Sequence, residues 1–179
     1  MELKKACFVT FFSLAGTVPA VAQDTAGTIS GTLGLDPAIW YVTSDAGEGS
    51  SGWRWVGNEV EARLVGQVRR DAPNSTAGAL TISLRTEGNP TEMNVSQFTI
   101  SFAADEGSGD DTVDYSAGAA NADLDLETLV ISGDEMVLAG SFAGKLIRGG
   151  ADELALDDDM QSVTVDGNFQ ATLPNLPSE

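Results

Sequence analysis

The sequence predicts an all-β protein: a single antiparallel β-sandwich of about eight or nine strands, with a β-barrel as the alternative closure of the same strands. Three observations carry that expectation. Met136, Leu138, Gly140, Phe142, Gly144 and Leu146 recur at every second residue, and Val163, Val165, Gly167, Phe169, Ala171 and Leu173 repeat the pattern. Side chains alternate faces along a strand, so this period buries one face of a strand and does not line one face of a helix. Shorter segments of the same kind recur at spacings of roughly 8–15 residues, with Gly, Pro, Asn, Asp and Ser between them. No segment holds a convincing helical period; residues 117–123 and 152–160 are the two weak helix candidates.

Residues 1–23 read as a secretory signal peptide. Lys4 and Lys5 give a positive start, residues 6–15 form an apolar run with Phe8, Phe11 and Phe12, and Pro19-Ala20-Val21-Ala22 is a small-residue exit. The run is too short to cross a bilayer, for which about 20 apolar residues are needed, and no later run reaches that length. The expected organisation is therefore a leader over 1–23, one β-sandwich domain over 24–173, and a loose tail over 174–179 that holds two prolines. About 155 residues after the leader suit one domain with a core of its own.

Taken in order, residues 28–35 alternate, with Ile29, Gly31, Leu33 and Leu35 on one face. Asp36-Pro37 is read as a turn, and 38–43 as a strand of large side chains. A glycine- and serine-rich acidic loop over 45–52 leads to Trp53-Arg54-Trp55, and 60–68 is the next strand. Leu80, Ile82 and Leu84 face one way in the following strand, and Phe98, Ile100 and Phe102 do so in the strand over 95–103. A second acidic loop covers 105–111, before a short strand near 113–115. Leu124, Leu126, Thr128 and Val130 mark one face of a strand that returns through Ser132-Gly133-Asp134-Glu135 into the alternating segment at 136–146. A third acidic loop, 149–161, joins that segment antiparallel to 163–173, with Phe142 and Phe169 on the core face. A glycine stands two residues before each phenylalanine, which indicates a bend or a close approach in both strands.

The run Gly140-Ser141-Phe142-Ala143-Gly144-Lys145-Leu146, with Val165-Asp166-Gly167-Asn168-Phe169-Gln170-Ala171-Thr172-Leu173, resembles bacterial exported β-sandwich domains of uncharacterised function. These end in G-x-F-x-G-x-L and V-x-G-x-F-x-A-x-L strands. The resemblance covers the last quarter of the chain. It implies a fold and an exported location, and it brings no catalytic residue with it.

Composition excludes several chemistries. The chain has no histidine and a single cysteine, Cys7, which lies in the leader. Mechanisms built on a Ser-His-Asp or Cys-His set are therefore excluded, as are zinc, copper and iron sites built on nitrogen and sulfur. The net charge is -18, and the leader itself contributes two lysines and one glutamate. Such acidity repels nucleic acid and anionic membranes and favours divalent cations.

Two constellations stand out. Trp40, Tyr41, Trp53 and Trp55 lie within sixteen residues and include all three tryptophans. Indole faces suit sugar rings and protein interfaces, so these four are the candidate ligand-binding residues; the bland reading is core packing with a wet edge. Asp105, Asp110, Asp111, Asp157, Asp158 and Asp159 are the candidate metal ligands, for calcium, which takes six to eight oxygens. None of these clusters has the spacing of an EF-hand loop, and solvated loops that blunt strand edges are the better explanation of them. Paired carboxylates across a cleft would also serve a glycan hydrolase, but nothing in the sequence marks a pair.

The reading that follows is a non-enzymatic binding or structural module of the bacterial envelope, periplasmic or secreted. Its partner would be a protein or a glycan, without nucleic acid and without membrane insertion. The alternatives are a calcium-binding exported protein and a carboxylate-dependent glycan hydrolase.

Overall fold

The computed structural model describes residues 25–44, 50–68, 77–87, 94–105, 112–149 and 161–177. The leader assigned to 1–23 lies outside them, as do most of the acidic loops. The described residues form ten strands and no helix: β1 (Thr25–Leu33), β2 (Asp36–Thr43), β3 (Gly52–Val56), β4 (Glu59–Gln67), β5 (Leu80–Thr86), β6 (Val95–Asp105), β7 (Thr112–Gly118), β8 (Ala122–Ser132), β9 (Glu135–Arg148) and β10 (Ser162–Pro174). The fold is all-β, and every pairing between these strands is antiparallel. The strand beyond the expected count is β3. It holds Trp53-Arg54-Trp55, too short a stretch to show a period of its own.

Nearly every strand pairs with its neighbour in sequence, and β10 pairs with both β9 and β1, so the hydrogen-bonded path closes into a ring. Two bent segments turn its corners. β2 and β3 follow one another along the same edge of β4: Tyr41 and Val42 face Gln67 and Gly66, and β3 lies beside residues 59–63. β7 and β8 follow one another along one edge of β9 in the same way: Tyr115 and Ser116 face Arg148 and Ile147, and β8 lies beside residues 135–144. The pairings at these corners are only two residues wide. They divide the ring into two five-stranded halves, β8-β9-β10-β1-β2 and β3-β4-β5-β6-β7. A strand that bends from one sheet into the next is a general way to make such a corner.

At the first corner the ladder is mended by a side chain. Ser51 is buried, and its hydroxyl accepts from the Val65 N–H at 2.9 Å and donates to the Val65 carbonyl at 3.3 Å. Val65 lies in the gap between the β2 and β3 pairings, where its backbone groups would otherwise lack a partner. Gly66, beside it, has no Cβ. One placed there would come within 2.6 Å of the Trp40 Cβ and 3.0 Å of the Ile29 Cδ1, so the glycine lets β1 and β2 press onto β4.

One apolar cluster fills the interior. Phe142 and Phe169 are both buried, as the alternation predicted. The glycine before each serves the other strand. Gly167 pairs with Phe142 and Gly140 pairs with Phe169 across the β9–β10 ladder. A Cβ on Gly140 would stand 2.8 Å from the Phe169 ring, and one on Gly167 would stand 3.1 Å from the Phe142 ring. Each ring thus lies over a glycine, and the two rings meet at a centroid separation of 6.4 Å.

Four sequence expectations differ from the structure. Leu35, expected on the core face, is 98% exposed. Gly34, at a φ of 64°, makes the turn there, so Leu35 lies at the tip and Asp36-Pro37 begins β2. Val130, expected inward, faces out, while Leu129 is buried and Ile131 packs against the core. The cause is a bulge between Leu126 and Thr128, which shifts the register by one residue and exchanges the faces beyond it. Residues 117–123, a weak helix candidate, are the end of β7, a turn and the start of β8; the candidate at 152–160 lies outside the described residues. The tail read as loose is bonded as far as Leu176. The Asn175 N–H donates to the Asp134 carbonyl at 2.8 Å, and the Leu176 N–H donates to the Trp53 carbonyl at 2.7 Å.

Candidate functional site

The four aromatic candidates do not share a surface. Trp40 faces inward from β2, is 1% exposed, and donates from its indole Nε1 to the Gly78 carbonyl at 3.0 Å. Tyr41, its neighbour, therefore faces outward and is half-buried. Trp53 is 2% exposed and joins the core. Trp55 shares the face of Trp53 one step nearer the β3–β4 turn and is 48% exposed. The two indoles meet edge to face, with centroids 6.3 Å apart and planes at 77°. Of the three indoles, only that of Trp55 is open to solvent.

The acidic candidates are divided by what the structure describes. Asp105 is exposed at the end of β6, facing Thr112 across the ladder to β7. Asp110, Asp111, Asp157, Asp158 and Asp159 lie outside the described residues. Among the described residues no group of three or more Asp or Glu side chains is placed to hold a metal ion.

The structure also places polar groups together that the sequence reading left apart. Outward positions on β8, β9, β10 and β1 form rows across the ladders. Asp123, Ala143, Asp166 and Thr32 make one row; Asp125, Ser141, Asn168 and Ser30 make the next; Ala139, Gln170 and Thr28 make a third. In the middle of β9 the outward side chains are Ala139, Ser141 and Ala143, between Val137 on one side and Lys145 on the other. Longer side chains stand on both sides, so the surface is hollowed along β9. The result is a pair of adjoining open depressions that share Asn168. The larger, of about 370 Å³, is lined by Asp123, Asp125, Ser141, Asp166 and Asn168 among others. The second adds Thr28, Ser30, Glu127 and Gln170.

Asp166 is positioned by a hydrogen bond of 2.5 Å from the Thr32 hydroxyl, made across the β1–β10 ladder. Asp123 and Asp125 lie across from Ala143 and Ser141, so no cation faces them in the rows. The outer face of the other half differs. There Arg54, Glu61 and Arg85 form one row, with Arg54 Nε 2.9 Å from Glu61 Oε2 and Arg85 within 3.7 Å of Glu61 and 3.5 Å of Glu59. The charges of that row are paired with one another. On β8–β9–β10–β1, hydroxyl, amide and carboxylate groups remain available, and all are carried on paired strands.

The signal for this surface was in the sequence. Inward and outward sets alternate along β9 and β10, and Ala-Ser-Ala opposite Asp-Asn-Gln is the outward half of the segments whose inward half predicted the core. Among the described residues, three buried polar atoms lie elsewhere without a hydrogen-bond partner: Ser50 Oγ, Trp53 Nε1 and Thr86 Oγ1. Compared with protein-family models, curated proteins and solved structures, the chain matches none.

Proposed function

We propose that the chain is an exported, non-enzymatic binding module of the bacterial envelope that takes a hydroxyl-rich ligand, of the glycan class, on the outer face of β8, β9, β10 and β1. The observation that carries this reading is the hollow along β9, where small side chains lie between Asp123 and Asp125 on one side and Asp166 and Asn168 on the other. Carboxylates accept hydrogen bonds from sugar hydroxyls, and the Asn168 amide and Ser141 hydroxyl can both donate and accept. Regular strands hold such groups more firmly than loops do. The leader-like residues 1–23 support export. The outer face, rich in Thr, Ser, Asn, Gln and carboxylates, supports a body surrounded by water, because strands that face lipid carry apolar side chains there.

Titration calorimetry against a panel of envelope and extracellular oligosaccharides tests the proposal. Binding is expected, with Asn168→Ala and Asp125→Asn each weakening it by about tenfold, equivalent to about 1.4 kcal/mol, and leaving the melting temperature unchanged. Trp55→Ala is expected to leave affinity intact. Loss of binding in Trp55→Ala alone would move the site to the aromatic tip, and an absence of binding across the panel would overturn the reading.

A further inference from the structure

We infer that the free edge of β8 docks an extended segment of a partner protein in which basic and apolar side chains alternate. The inference does not depend on the glycan reading, because it rests on backbone pairing, although the two share the carboxylates of β8. β8 hydrogen-bonds only to β9, and among the described residues no backbone hydrogen bond crosses its other edge. An edge of this length is a template for another strand. The fold has one other strand off its closed path, β3, which is shorter and pairs only with β4. The chain itself meets that edge: Asn175 bridges to Trp53 in the parallel sense, the Leu176 N–H donates to the Trp53 carbonyl, and the Leu176 side chain lies where a Gly52 Cβ would be. The chain's own tail thus already meets one open edge at Trp53, and among the described residues the longer edge has no partner.

The side chains of β8 select the occupant. Asp123 and Asp125 are exposed ahead of the bulge, and Glu127, the extra residue of the bulge between Leu126 and Thr128, is exposed as well. A second copy of the chain is disfavoured: β8 paired antiparallel with itself about Asp125 sets Asp123 opposite Glu127, and like charges directly opposite are repulsive. A strand with Lys or Arg at every second residue sets a cation against each carboxylate. Its intervening side chains fall on the face of Leu124 and Leu126, where Leu124 is only partly buried, so they should be apolar. The overall charge of -18 steers such a segment toward the protein.

The test must separate strand pairing from attraction between bulk charges. A fluorescent peptide of alternating lysine and valine is compared, at about 0.15 M salt, with the same peptide N-methylated at every second residue. N-methylation preserves the charge and blocks one edge. Anisotropy reads the affinity, and hydrogen exchange reads the amides of β8. The expected result is binding of the plain peptide, at least about tenfold weaker binding of the methylated one, new protection confined to β8, and at least about tenfold loss in Asp123→Lys/Asp125→Lys. Equal binding of the two peptides, protection elsewhere than β8, or dimers of the protein joined through β8 would each overturn the inference.

Discussion

Phe142 and Phe169 show what single residues decide in this protein. Each ring lies over the glycine that precedes the other in the alternating pattern, so large and small side chains exchange places across one ladder. The glycines are as necessary as the rings. A Cβ at Gly140 meets the Asp125 carbonyl oxygen at 2.3 Å as well as the Phe169 ring, and backbone cannot swing aside as a side-chain tip can. Gly140→Val is therefore expected to destabilise the fold by about 3 kcal/mol, at the upper end of overpacking costs. Urea denaturation measures it. Thr86 should behave oppositely. Its hydroxyl is buried without a partner, and a buried unpaired group costs about 1–3 kcal/mol. Thr86→Val keeps the shape and removes that cost, so a higher midpoint in the same urea titration is expected. The aromatic set was legible in part: Trp40 and Tyr41 are adjacent and must face opposite ways, and Trp53 and Trp55 share a face as their spacing required. That β2 and β3 follow one another along the same edge of β4 was not legible, and it decides how the two pairs lie relative to each other.

At the scale of elements, β9 and β10 could be read from the sequence because each keeps one inward set of apolar or glycine positions over six alternations, long enough to exclude helix. β8 could be read only as far as Leu126. The bulge there leaves no mark in residue type, so the strict period carried Val130 to the wrong face. β3 escaped notice because five residues of mixed burial have no period to show. The corner between β2 and β3 shows how a break in the ladder is tolerated. The Ser51 hydroxyl supplies Val65 with both a donor and an acceptor, replacing what a neighbouring strand would give. Ser51→Ala leaves those two backbone groups unpaired in a buried place. A loss of about 2 kcal/mol in thermal or urea denaturation is expected, and Ser51→Thr, which keeps the hydroxyl, should recover part of it. If Ser51→Ala costs nothing, the corner is held by other means.

The whole molecule joins an apolar inside to a polar outside around a closed ring of strands, and its two outer faces have opposite electrostatic habits. The β3–β7 half pairs Arg54 and Arg85 with Glu61 in one ladder row, while the β8–β2 half sets carboxylates across from alanine and serine. Fold class followed from periodicity because burial imposes the period. The polar outer face did not, because an outward set obeys no such constraint and becomes a surface only when strand order is known. That order depends on β10, the strand that joins the first element to the last. Backbone nuclear Overhauser contacts in the labelled protein examine it most directly. The account predicts cross-strand contacts from Asn168 to both Ser30 on β1 and Ser141 on β9. Contacts to Ser141 without any to Ser30 would show an open sheet, and would remove the ring and the β1 side of the second depression.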